Sequence, residues 1–119
     1  MPVPSSDFPY FDPETGIEIA RSLLPAREKV DDLFALEVHG DSMIDAHIEK
    51  GDMVIVEKNN QAQDMQIVIA EVDGEFTMKY FRKQGSRVWL QPANKNYKPI
   101  YPVHSFNIIA VLKAVIRKY

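Results

Sequence analysis

Two residues of this 119-residue chain are candidates for chemistry, a serine that could be a nucleophile and a lysine that could lose its proton. Ser42 follows Gly40-Asp41 at the end of an alternating segment, and Lys79 stands within Phe76-Thr77-Met78-Lys79-Tyr80-Phe81. A serine hydroxyl attacks a carbonyl only when a base takes its proton. A lysine can be that base where apolar surroundings disfavour its charged form. A sharp turn through Gly40, Asp41, Ser42 and Met43 could also aim backbone amides at a developing oxyanion. Each residue has a plainer reading alone. A serine after Gly-Asp is an ordinary turn or cap, and a lysine between Thr77 and Phe81 reads, on position, as charge on a solvated outer face.

Other chemistries are absent from the sequence. There is no cysteine, which excludes disulfides, thiolate catalysis and cysteine zinc sites. His39, His47 and His104 are scattered, and His47-Ile48-Glu49-Lys50 is not a zinc-binding helix motif, so no metal and no cofactor are expected. No serine has a lysine three residues on, Ile44 breaks the G-x-S-x-G pattern, and the five glycines stand singly, so no phosphate-cradling loop is visible. The net charge of -3 argues against a free-standing nucleic-acid binder. Lys113, Arg117 and Lys118 read as solvated charge at a basic end. No apolar run approaches a membrane span, and Met1–Pro13 lacks the pattern of a signal peptide, so the expectation is a cytoplasmic protein without membrane contact.

The elements that must hold Ser42 and Lys79 are strands. Hydrophobic residues make up 45% and charged residues 26%, the balance of a folded domain and not of a disordered tail. Residues 1–32 begin with Pro2, Pro4, Pro9 and Pro13 and read as an extended arm and connecting segment, with a short strand at Ile17–Ala20 and a turn at Ser22–Pro25. From Leu33, Phe34, Leu36 and Val38 alternate with Ala35, Glu37 and His39, a strand period. Met43–Ile48 fits one helical turn, and Met53–Val56 is a continuous apolar run that fits a strand buried on both faces. Gln66–Val72, the Asp73-Gly74 turn and Glu75–Phe81 form a hairpin, followed by Arg87–Leu90 and a proline- and asparagine-rich loop over residues 92–102. Phe106–Tyr119 is a long β-branched run. Short strands with turn signals between them predict a mainly β domain over 33–119, a small twisted sandwich or partly open barrel.

Taken together, the serine and lysine segments say more. Gly40-Asp41-Ser42-Met43-Ile44-Asp45 with Lys50–Val56, Gln66–Ala70 leading into Val72–Lys79, Val88–Asn94 and Tyr97–Ile100 resemble the LexA-type family of self-cleaving serine peptidases, over about residues 33–118. That family includes SOS repressors, UmuD-type polymerase subunits and phage repressors. The resemblance implies a LexA/signal-peptidase-like fold, Ser42 as nucleophile, Lys79 as general base and an oxyanion site at the Ser42 amide. Phe81, and Met43 from the turn, are expected to keep the lysine in apolar surroundings. The resemblance also implies a homodimer, a RecA filament on single-stranded DNA as the stimulating partner, and operator DNA bound only through an N-terminal domain that this chain lacks. Such proteins cut an Ala-Gly or Cys-Gly bond, whereas the glycines here follow Thr15, His39, Lys50, Asp73 and Gln84. The expectation is therefore that the cleavage site lies upstream of Met1. A UmuD-type subunit fits the Asp73–Thr77 segment equally well, and a non-catalytic β dimerisation module is the reading of another class. A signal peptidase shares the dyad but requires a membrane anchor. The last run is expected to be an exposed edge strand that pairs with its copy through Ile108, Ala110, Leu112, Ala114, Val115 and Ile116.

Overall fold

The computed structural model describes residues 33–117 together with the backbone of two short segments, Val3–Pro4 (β1) and Tyr10–Phe11 (β2). The strand and turn expected at Ile17–Pro25 lie outside the described residues, as does Lys118. The remaining strands are β3 (Leu33–Glu37), β4 (Met53–Lys58), β5 (Ile67–Val72), β6 (Glu75–Gln84), β7 (Arg87–Gln91) and β8 (Phe106–Ile116), with a 3-10 turn at Ile44–Ala46. The fold is mainly β, as the alternation predicts. The strands form one sheet in the order β1-β6-β5-β8-β4-β3-β2, with β7 also on β6, and the sheet stays open. All described pairings are antiparallel except that of β1 with β6.

Both faces of the sheet are apolar and both are covered. On one face Leu36, Val54, Val56, Ile69, Met78 and Ala110 form a core that Val38, Met43 and Ile48 complete. On the other face are two clusters, one around Val68, Ala70, Phe81, Leu90 and Val111, the other around Leu33, Ala35 and Ile55. The unbroken run Met53–Val56 follows from this, because alternate residues of β4 point into different cores. The Asp73-Gly74 turn expected between β5 and β6 has positive φ at both residues, 50° and 93°, the conformation that selects this dipeptide.

The last strand corrects two expectations. β8 is not an exposed edge; it lies between β5 and β4, pairing with β5 through Phe106–Val111 and with β4 through Ala110–Ile116. Its register skips one residue at Ile109 and another at Lys113, and both bulged residues are exposed. Each bulge bends the strand and changes which side chains point inward. Ala110 is therefore buried in the first core, Ile108 packs on the Phe81 cluster, Leu112 on the first core, and Ala114 and Ile116 on the Ile55 cluster. Val115 remains exposed. Among the described residues, Lys113–Ile116 have a strand partner on one edge only. The basic end is not free charge either, since Lys113 reaches Glu57 at 3.7 Å and Arg117 is bound to Asp52.

Candidate active site

Ser42 sits in a loop, residues 38–52, that is closed at its base by backbone bonds. The amide of Val38 donates to the Asp52 carbonyl at 2.9 Å, and the amide of Gly51 donates to the Val38 carbonyl at 2.8 Å. Gly51 has φ +93°, a conformation that any side chain would strain. The Asp52 carboxylate, almost fully buried, receives Arg117 Nε at 2.9 Å, Arg117 Nη2 at 2.8 Å and the Glu49 amide at 2.8 Å. The Arg117 guanidinium, chiefly by these hydrogen bonds, holds the Asp52 carboxyl below the usual carboxylate range. Arg117 also donates to the His47 carbonyl at 3.0 Å, so one side chain pins both the loop's base and the end of its short helix. Met43 and Ile48 anchor the loop in the first core. Ile44 donates to the Asp41 carbonyl at 3.2 Å and Ala46 to that of Met43 at 3.0 Å, which sets the turn in which Ser42 is 2% exposed.

Lys79 lies on β6 opposite Val68 of β5 and is 3% exposed. Its Nζ donates to Thr77 Oγ1 at 2.6 Å. The reading from position alone, charge on an outer face, is corrected here because both faces of the sheet are covered. Phe81, on the lysine's face of the strand, belongs to the cluster with Val68 and Leu90 and stacks on Phe106 with centroids 6.1 Å apart. Met43 belongs instead to the core of Met78, whose side chain points to the other face of β6.

A cleft of about 310 Å³ runs past the lysine. One wall is the β5–β6 hairpin, with Val72, Asp73, Glu75, Thr77 and Lys79; the other is the loop after β7, with Tyr97, Lys98 and Ile100. That loop is tied to the serine turn. Ala93 donates to the Ser42 carbonyl at 2.8 Å and accepts from the Asp45 amide at 2.7 Å. Asn94 Nδ2 donates to the Asp41 carbonyl at 2.9 Å, and the Tyr97 hydroxyl donates to Asp41 Oδ1 at 2.5 Å. At its far end the loop is tied to the hairpin, where Asp73 accepts from the amides of Ser105 (2.9 Å), His104 (2.6 Å) and Val103 (3.2 Å). Glu71 accepts from the Gly74 amide, the Ser105 hydroxyl and Asn107 Nδ2 at 2.7–2.9 Å. These donors, led by the Gly74 amide for Glu71 and the Ser105 amide for Asp73, hold both carboxyls below their ordinary range.

The loop thus connects the serine-bearing turn to the wall of the lysine's cleft. Sequence reasoning singled out Ser42, Lys79 and the Asp73-Gly74 turn, and did not foresee the hydrogen bonds of Thr77, Asn94 and Tyr97 or Asp73 as an acceptor. All four stood within the segments Val72–Lys79, Val88–Asn94 and Tyr97–Ile100 that carry the resemblance, with nothing in the sequence to mark their roles. His39 is at the start of the serine loop, 3.3 Å from Glu37, and His104 is on the distant side of the cleft loop. Among the described residues no group of three or more potential ligands could hold a metal ion, and no helix is long and apolar enough to cross a membrane.

Residues 6–113 match the family described as Peptidase S24-like. The chain is 40% identical to the LexA repressor of Clostridium novyi (strain NT) over 107 residues, which cover 89% of this chain and 51% of that protein. It is 49% identical over 86 residues to the LexA repressor of Bifidobacterium longum (strain DJO10A), covering 72% and 35%. It is 44% identical over 88 residues to that of Clostridium botulinum (strain Hall / ATCC 3502 / NCTC 13319 / Type A), covering 74% and 43%. The chain spans about half or less of the length of these relatives.

Proposed function

The chain belongs to the Peptidase S24-like family, and from that premise we propose that it is the self-cleaving, dimer-forming C-terminal part of a LexA-type repressor of the DNA-damage response. The observation that carries this reading is the burial of Lys79 beside a cleft whose opposite wall is tied to the Ser42 turn. A lysine spends no free energy on a surface role when it is this deeply enclosed, and burial favours its neutral amine.

In this reading Lys79 is the general base and Ser42 the nucleophile. The neutral amine takes the hydroxyl proton as Ser42 Oγ bonds to the carbonyl carbon of the scissile peptide. The carbonyl oxygen becomes an oxyanion, stabilised by the Ser42 amide and a neighbouring amide of the turn. The C–N bond then breaks, and the leaving amine takes the proton from the Lys79 ammonium. Water adds to the acyl-serine with Lys79 again as base, releasing the new carboxylate and restoring Ser42. Thr77 Oγ1 accepts from Nζ and so fixes where the amine points. Positioning of this kind is one of the main contributions an enclosed site makes.

Repressors of this type cut a bond of the Ala-Gly or Cys-Gly type in their own polypeptide, and a RecA filament on single-stranded DNA is the stimulating partner. Operator binding belongs to the part of such repressors outside this chain's span. Two copies pair along the edge of Lys113–Ile116 that is open among the described residues, with Val115 as the exposed apolar contact.

Self-cleavage tests the reading. A longer chain carrying an Ala-Gly segment before residue 1 should split at alkaline pH, and Ser42→Ala or Lys79→Ala should stop it without unfolding the domain. Cleavage that persists in the Ser42→Ala chain would overturn the assignment.

A further inference from the structure

We propose that Tyr97 is a positioning residue for the reaction, setting the register of the Ser42 turn from the wall of the cleft; this rests on the reading of Ser42 as nucleophile. Three groups of one loop hold the dipeptide Asp41-Ser42: the Ala93 amide on the Ser42 carbonyl, Asn94 on the Asp41 carbonyl, and the Tyr97 hydroxyl on the Asp41 carboxylate. The first two fix the backbone. The third fixes the side chain of the residue immediately before the nucleophile, through a short bond to a carboxylate, the stronger kind of hydrogen bond. Tyr97 also lines the cleft that Lys79 lines from the other side. A peptide entering that cleft therefore meets the residue that sets the turn.

The bond is not needed to hold the fold. Tyr97 is 41% exposed. Its loop is independently anchored by the Leu90–Ile100 backbone pair at 2.9 and 2.8 Å and by Asp73, and the serine loop by Arg117 on Asp52. Loss of the Tyr97 hydroxyl should then move the Ser42 turn by a fraction of an ångström and leave the domain folded. Displacements of that order reduce rates by about tenfold to a hundredfold.

The test is the rate at which a fluorophosphonate probe modifies Ser42 of the intact chain, read as a mass increase, with thermal unfolding measured alongside. Tyr97→Phe should slow modification about tenfold at every pH, leave the pH of half-maximal rate where it was, and change the melting temperature little. Asp41→Ala should slow it equally, and the double variant should be no slower than either, because both remove one bond. Asp41→Asn keeps an acceptor oxygen for the phenol and should recover most of the rate. Modification of Tyr97→Phe at the parental rate, or additive losses in the double variant, would overturn the role of Tyr97 while the nucleophile stands. Modification that persists in Ser42→Ala would overturn the nucleophile itself.

Discussion

Lys79 Nζ and Thr77 Oγ1 are joined by a 2.6 Å hydrogen bond between two buried side chains on one face of β6. Their spacing of two along a strand makes this pairing local, so it does not depend on loop conformation. Thr77→Val keeps the shape and removes the acceptor. We expect it to slow modification or cleavage at Ser42 by about tenfold, the amine having lost its direction, while Thr77→Ser retains most of the rate. Equal rates for Val and Ser would show that the bond does not orient the amine.

The Arg117–Asp52 pair predicts a stability effect away from the cleft. Arg117→Ala takes both guanidinium donors from a buried carboxylate, leaving it the Glu49 amide, and frees the base of the serine loop. Because Arg117 is itself about one-third exposed, the expected loss is about 1–3 kcal/mol, below that of a fully buried pair. Urea unfolding measures it, and a loss below the error of the method would count against the clamp.

Acid should destabilise the fold through the same groups. Asp52, Glu71 and Asp73 have carboxyls held below their ordinary values, 3.8 for Asp and 4.5 for Glu. A folded-state value below the unfolded one stabilises above the unfolded value, and that stabilisation is lost as pH falls through the folded one. Stability should accordingly be level above about pH 5 and decline below about pH 4. Unfolding midpoints across this range test it, and a midpoint that rises on acidification would contradict the assigned directions.

Dimerisation is tested at Val115. It is 39% exposed on the segment whose second edge is open among the described residues, whereas Ile116 packs on the Leu33–Ile55 cluster. Val115→Glu should weaken the proposed dimer and leave a folded monomer, while Ile116→Glu should also lower stability. Sedimentation gives the answer: a parental chain that is monomeric at about 100 μM, well above the Kd of a stable association, ends the dimer reading.

Much of this architecture is written locally. The period of β3, the unbroken run of β4 and the Asp73-Gly74 turn each follow from neighbouring residues, and so they were legible. The burial of Lys79 was not, because it depends on a second apolar layer that Phe81, Leu90 and Phe106 assemble from three strands. The two bulges of β8 shift its inward parity at Ile109 and Lys113, which alternation read along the chain misses. Arg117 with Asp52 and Tyr97 with Asp41 join residues 65 and 56 positions apart, and no periodicity marks such pairs. Ser42 and Lys79 themselves stood out only through family resemblance, since a serine after Gly-Asp and a lysine in a strand are common.

The most direct test of the account is the pH dependence of Ser42 modification by the fluorophosphonate probe, compared between the parental chain and Lys79→Ala. With Lys79 as base, the parental rate should climb about tenfold per pH unit while the lysine is protonated and level off once the amine is neutral. The Lys79→Ala chain should remain folded and nearly unreactive throughout. A Lys79→Ala chain that reacts as fast as the parent, or a parental rate that stays flat over the whole range from about pH 5 to 10, would contradict the dyad.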